Sequence, residues 1–235
     1  MIAFLTRDAP FPPVDRALTD PNGLLAVGGE LSSERLVSAY CRGIFPWYSV
    51  GQPVLWWSPD PRMVLHTDEF RVSHSLRSRI RRGTYTVTTN TCFREVVDAC
   101  ARAYRQGQDG TWITAQIARA YSELHDMGYA HSIEAWAGDE LAGGLYGIAI
   151  GRMFFGESMF ARRTDASKVA LSALVGLLRA HDMPLIDCQQ ETRHLASLGA
   201  RPISRHAFMH SLLKLVGRGD AADWWPRGPI GDHRE

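Results

Sequence analysis

Eight of the twelve prolines in this chain fall within its first 61 residues, and that imbalance divides it in two. Proline fixes φ and removes a backbone donor, so residues 1–62 read as a small Pro-rich N-terminal domain of loops and short elements. One helix is predicted there. Ser32 or Ser33 caps it, Leu36, Val37 and Tyr40 form its buried stripe, and Gly43 ends it. Trp47, Trp56 and Trp57 cluster just after it.

From residue 63 to 235 helix and strand patterns alternate. Tyr85–Thr88 reads as a strand. A helix capped by Asn90 or Thr91 carries Phe93, Val96, Val97, Cys100 and Tyr104 and is expected to end at Gly107. Thr114 caps the next, with Ile117, Tyr121 and Leu124 inside and Gly128 as its stop. His131–Ala137 and Glu140–Ile150 flank Gly138-Asp139 as a hairpin, and Met153–Phe155 adds a third strand. Thr164 or Asp165 caps an amphipathic helix with Ala170, Leu171, Leu174, Val175 and Leu178. Pro184–Cys188 is a strand, and Ser204 caps a last helix with Phe208, Leu212 and Leu215. Antiparallel strands followed by strand–helix–strand predict an α/β (α+β) mixed sheet with helices on both faces.

Charge and cysteine narrow the function classes. The net charge of +1 hides a run of Arg71, Arg77, Arg79, Arg81 and Arg82 that contains no acid. Such a run either binds phosphates or forms a solvated helix face. Cys41, Cys92, Cys100 and Cys188 show neither CxxC nor finger spacing, which suits free thiols in a reducing cytoplasm. Arg7-Asp8 follows Met1–Leu5 too soon for a signal peptide, and no apolar run approaches membrane-spanning length.

Asp187 and Gln189 close the strand that starts at Met183-Pro184-Leu185-Ile186, and residues two apart on a strand face the same way. A carboxylate and an amide would then project together from the strand's end; alternatively, Asp187 caps a turn and Gln189 is solvated. His206 and His210 stand at i,i+4 on a helix without an obvious third ligand, so no metal site is expected. Gly156-Glu157-Ser158-Met159 is not a nucleophile elbow. Gly143-Gly144-Leu145-Tyr146-Gly147 lies within a strand and lacks the dinucleotide spacing, so its glycines are read as a bulge or a close backbone approach.

Ten strings, in order along nearly the whole chain, resemble the bacterial leucyl/phenylalanyl-tRNA–protein transferases. They are Phe11-Pro12-Pro13, Gly23-Leu24-Leu25-Ala26-Val27-Gly28-Gly29, Arg42-Gly43-Ile44-Phe45-Pro46-Trp47 and Trp56-Trp57-Ser58-Pro59-Asp60-Pro61-Arg62. Next come Gly110-Thr111-Trp112-Ile113, Gly143-Gly144-Leu145-Tyr146-Gly147, Phe155-Gly156-Glu157-Ser158-Met159-Phe160 and Ala166-Ser167-Lys168. The last are Leu185-Ile186-Asp187-Cys188-Gln189 and His194-Leu195-Ala196-Ser197-Leu198-Gly199-Ala200.

The resemblance implies a GNAT-like acyltransferase domain over 63–235. It implies transfer of Leu or Phe, and by extension Met, from aminoacyl-tRNA to the α-amine of proteins beginning with Arg or Lys, marking them for N-end rule degradation. No metal or small cofactor is expected, because the tRNA ester is already activated. Asp187 and Gln189 are placed at the reaction centre, with Asp187 orienting Gln189 and the pair positioning and deprotonating the amine. Glu157 is expected to recognise the acceptor's positive terminus. Leu145, Phe154, Met159, Leu171, Leu174 and Ile186 are expected to line the pocket for the donor side chain, Trp47 and Trp112 to stack the 3′-adenosine, and the Arg71–Arg82 run to hold the acceptor stem. A monomer without membrane attachment is expected.

Two rivals remain open to the sequence. An acetyl-CoA enzyme of the same fold would want glycines where Phe160-Ala161-Arg162-Arg163-Thr164-Asp165 stands, and a silent RNA-binding module would not need Asp187 with Gln189.

Overall fold

A computed structural model describes residues 2–103 and 111–230. The first part of the chain forms β1 (Ala3–Leu5), β2 (Leu24–Gly28), α1 (Ser33–Tyr40), β3 (Phe45–Pro46) and β4 (Leu55–Trp57). These strands make a four-stranded sheet in the order β1-β2-β4-β3. Its strands are short and most of the prolines lie in the loops around them; Pro46, the last residue of β3, has no N–H to give the ladder. Ser32 caps α1, its side chain accepting from the Arg35 amide.

The rest of the chain builds β5 (Arg62–His66), α2 (His74–Arg81), β6 (Thr86–Thr89), α3 (Phe93–Arg102) and α4 (Ala115–Asp126). The central hairpin is β7 (Ala130–Ala137) and β8 (Glu140–Ile150), followed by β9 (Met153–Ala161) and α5 (Ala166–Ala180). Then come β10 (Leu185–Gln189), α6 (Arg193–Ser197), β11 (Arg201–Ile203), α7 (Arg205–Leu215) and β12 (Gly228–Pro229). The large sheet runs β11-β5-β10-β9-β8-β7-β6-β12. Its β9–β10 pair is parallel and its other pairs are antiparallel, so the predicted mixed sheet is present.

Helices cover both faces. On one, α5 packs on β7 and β8 and seals a cluster that includes Leu145, Phe154, Leu171, Leu174 and Ile186. On the other, α3 and α4 join a cluster that continues without a break into the small sheet through Tyr40, Phe45, Trp56 and Val64. The glycine run inside β8 shows how closely these layers approach. A Cβ on Gly143 would lie 2.6 Å from the Ala166 Cβ at the start of α5. One on Gly147 would overlap the Phe155 carbonyl and the Phe154 ring, at the β-bulge between Tyr146 and Gly147.

Several elements differ from the sequence expectation. β9 runs to Ala161 rather than stopping near Phe155, because Gly156 and Glu157 interrupt the apolar run without ending the ladder, and so Glu157 sits on a strand. α3 ends at Arg102, where Ala103 turns extended (ψ 125°); Tyr104 and Gly107, expected in its last turn, lie outside the described residues. The chain end packs in part: Trp225 stacks on His131 at 4.2 Å and Trp224 on His181 at 3.7 Å. No described helix is long and apolar enough to cross a membrane.

Gly147→Ala is expected to lose about 1–3 kcal/mol of stability through this overlap. Urea unfolding measures it, and a loss below about 0.5 kcal/mol would contradict the packing described.

Candidate functional site

β9 and β10 stay paired in register only as far as Phe155 and Asp187. Beyond that point the strands part, and a cleft of about 610 Å³ opens between them, the β3 segment and α6. Gln189, the last residue of β10, sits at φ +63°, and the ladder to β5 shifts between Asp187 and Gln189. A bulge of this kind re-aims a side chain at a strand's end.

Arg62 and Asp187 hold the bulge in place. Both side chains are fully buried. The Arg62 Nε donates to Asp187 Oδ1 at 2.8 Å and its Nη2 to Oδ2 at 2.7 Å, a two-point fork. Its Nη1 reaches the Gly43 carbonyl at 3.1 Å, and the guanidinium lies over the rings of Phe45 and Phe208, 4.7 and 4.5 Å from their centres. The Gln189 amide donates to Asp187 Oδ1 at 2.9 Å. The sequence suggested that Asp187 projects from the strand's end beside Gln189. Its carboxylate instead faces inward, because β5 places a buried cation beside it, and Asp187 does not line the cleft.

The Gln189 side chain does reach the cleft, and its Nε2 donates to Glu157 Oε1 at 2.8 Å. Two tyrosines from separate helices complete the surroundings of Glu157. Tyr40 of α1 donates to Oε1 at 2.8 Å and Tyr121 of α4 to Oε2 at 2.9 Å. Burial raises the Glu157 carboxyl to about 7; the bonds from Tyr40, Tyr121 and Gln189 pull it back, while the Asp187 charge adds to the rise. Tyr40 and Tyr121 are themselves pushed well above the usual phenol range, first by burial and then by the Glu157 charge. Burial likewise pushes the Cys188 thiol up, so it is no ready nucleophile.

The apolar wall of the cleft contains Leu145, Phe154, Met159, Leu171, Leu174 and Ile186. Trp47 and Trp112, both half-buried, stand on the same cleft, and Trp47 meets Trp57 edge-on at 5.6 Å. Of the basic run, Arg71, Arg77, Arg81 and Arg82 are exposed and Arg79 pairs with Asp165 at 3.2 Å; α2, capped by Ser73, carries all but the first and last of the five. Among the described residues no group of three or more His, Cys, Asp or Glu is placed to hold a metal ion.

Sequence reasoning missed Arg62 as a site residue, read Tyr40 and Tyr121 as core stripe, and did not single out Leu65, Thr192 or His194, which also line the cleft. One cue was available for Arg62. A cation opening the apolar run Met63-Val64-Leu65 needs a buried carboxylate.

The family model for leucyl/phenylalanyl-tRNA protein transferase matches residues 64–213, and that for the N-terminal domain of the same proteins matches 29–60. A leucyl/phenylalanyl-tRNA–protein transferase of Xanthomonas euvesicatoria pv. vesicatoria is 56% identical over 220 residues, 94% of this chain and 88% of its own. One of Stutzerimonas stutzeri is 56% identical over 225 residues, 95% of this chain and 99% of its own. Among solved structures, L-PGS from Bacillus licheniformis aligns at a TM-score of 0.42 with 11% identity, over 83% of this chain and 73% of its own. That likeness is too distant to transfer anything.

Arg62→Met would leave Asp187 buried without its counter-charge, and is expected to cost about 3–5 kcal/mol in urea unfolding. A cost under about 1 kcal/mol would mean that the pair does not hold the site.

Proposed function

Because this chain belongs to the leucyl/phenylalanyl-tRNA–protein transferase family, we propose that it moves Leu or Phe, and also Met, to proteins beginning with Arg or Lys. The donor is the aminoacyl-tRNA, the acceptor group is the N-terminal α-amine, and the modified protein is marked for degradation through the N-end rule pathway. As a member of the family the chain is a transferase that carries an aminoacyl group from tRNA to protein.

The observation that carries the finer reading is the meeting of an apolar wall with the Glu157–Gln189 pair in one cleft. The donor side chain lies against Leu145, Phe154, Met159, Leu171, Leu174 and Ile186. Such a surface separates side chains that differ by a methylene by only about 1–3 kcal/mol, which supports acceptance of Leu, Phe and Met alike. Trp47 and Trp112 stack the 3′-terminal adenosine, and the exposed arginines of the Arg71–Arg82 run hold acceptor-stem phosphates.

The acceptor's positive terminus docks beside the hydrogen-bonded Gln189–Glu157 pair, where Glu157 recognises it. The neutral amine attacks the ester carbonyl, an oxyanion forms, and the 3′-oxygen leaves. Asp187 serves by fixing the Gln189 backbone. The ester supplies the driving force, so no cofactor enters. We assign residues 1–62 to a small domain and 63–235 to a GNAT-like catalytic domain. The parallel β9–β10 pair that parts at the cleft supports that fold type. The protein works in the cytoplasm as a monomer.

Label transfer from Leu-tRNA to peptides that begin with Arg, acetyl-Arg or Asp tests the reading. Label on the free Arg peptide alone is expected. Equal labelling of the Asp peptide would remove the acceptor assignment, and label on none of the three would remove the reading.

A further inference from the structure

Tyr40, Tyr121 and Glu157 form a closed ring of hydroxyl and carboxyl oxygens. The two hydroxyl oxygens are 2.5 Å apart, and each also contacts one carboxyl oxygen, at 2.8 and 2.9 Å. Three contacts need three protons. Each tyrosine brings one, so an ionised Glu157 leaves one contact with lone pairs on both sides. A proton on Oε1 completes the ring: Oε1–H donates to Tyr40, Tyr40 to Tyr121, and Tyr121 to Oε2. Gln189 still donates to Oε1 from outside the ring.

Among the described residues, no cation is paired with Glu157. Asp187 on β10 carries the neighbouring charge, and that carboxylate is matched by Arg62 of β5. Tyr146 of β8 packs edge-on to Tyr121 at 5.7 Å, and α1 and α4 contribute the two ring tyrosines. Glu157 nevertheless lines the cleft, so the position is open to a bound amine.

We propose that Glu157 is the proton acceptor of the transfer, and that Tyr40 and Tyr121 are positioning residues that hold a vacant proton position beside it. The inference rests on the transfer reading above. As the amine nitrogen bonds to the ester carbonyl carbon, its proton passes to Glu157 and fills the ring. When the bond from that carbon to the 3′-oxygen breaks, Glu157 returns the proton to the 3′-oxygen. Glu157 ends ionised, as it began, and no other reactant is consumed. A carboxyl raised by burial to about 7 is suited to both halves of that exchange near neutral pH.

The test is the pH dependence of kcat for Leu transfer to an Arg peptide, in the native enzyme, Glu157→Gln, Tyr40→Phe and Tyr121→Phe, each checked for folding by thermal melting. The native rate is expected to rise through about pH 7. Removing one tyrosine hydroxyl destabilises the carboxylate, so the rise moves up by about one pH unit and the loss of rate is larger below pH 7 than above it. Glu157→Gln is expected to slow transfer on the order of 10²–10⁴-fold. The acceptor amine titrates at about 7.7–8.0 in every case, so the displacement between variants carries the result. Infrared difference spectra of native protein against Glu157→Gln, without substrate, give an independent reading: a protonated carboxyl band present at pH 5 and lost through pH 7. Tyrosine variants that are slowed equally at every pH, a Glu157→Gln enzyme with native rate, or no such band at pH 5 would each overturn the proposal. Failure of the native enzyme to transfer at all would overturn the functional reading instead, and the infrared band would still decide where the proton sits.

Discussion

The buried ion pair of Arg62 with Asp187 is the constraint on which the rest of the site depends. Removing two charges from water costs several kcal/mol per ion, and the cost is offset only where geometry and further hydrogen bonds are good. Here the fork is two-pointed, the spare guanidinium nitrogen finds the Gly43 carbonyl, and the cation lies over two aromatic rings. The pair therefore ties three separate pieces together: β5, the end of β10, and the Gly43–Trp47 segment of the small sheet. It also holds Gln189 in a left-handed backbone conformation, which costs a non-glycine residue on the order of 1–3 kcal/mol. The bond from the Gln189 amide to Asp187 braces that conformation on its N-terminal side.

Strand alternation then divides the labour of the cleft. Successive residues of a strand face opposite sides. On β9 the register shift that leaves Glu157 as an extra residue puts Phe154 and Met159 on the same side, in the apolar cluster under α5, whereas Phe155 joins the opposite cluster and Glu157 turns to the tyrosines of α1 and α4. On β10, Ile186 faces the α5 side and Asp187 the other. Where the two strands part, both faces are exposed to one cavity. An apolar side chain and a proton-exchanging group can thus be served from a single pair of strands. The small sheet is needed as well, since α1 carries Tyr40 and β3 leads to Trp47.

The sequence was most legible where the signal is local. Thr114 and Ser204 cap their helices as their spacing predicts, and the β7–β8 hairpin turns at Gly138-Asp139. The α2 helix was harder to see, because Leu76 and Ile80 are its only large apolar residues among arginines. The six apolar residues and two tryptophans of the cleft were reached through family resemblance, since no periodicity separates a pocket wall from ordinary core. Tyr40 and Tyr121 show why the rest was hidden. Each sits at a buried helical position, and nothing local reveals that their hydroxyls meet 81 residues apart in sequence. The Arg62–Asp187 contact spans 125 residues and left only the cue of a cation before an apolar strand.

The most direct test of this account is the transfer rate of the double variant Arg62→Met/Asp187→Leu, measured on protein shown to be folded by its melting transition. Replacing a buried pair with apolar residues of similar volume is often neutral for stability. The fold should therefore persist while the Gln189 amide loses its acceptor and the bulge relaxes. The predicted result is a folded protein slowed on the order of 10²-fold, the scale expected for a misplacement of about 1 Å. A folded double variant that transfers at the native rate would contradict the claim that this ion pair builds the site.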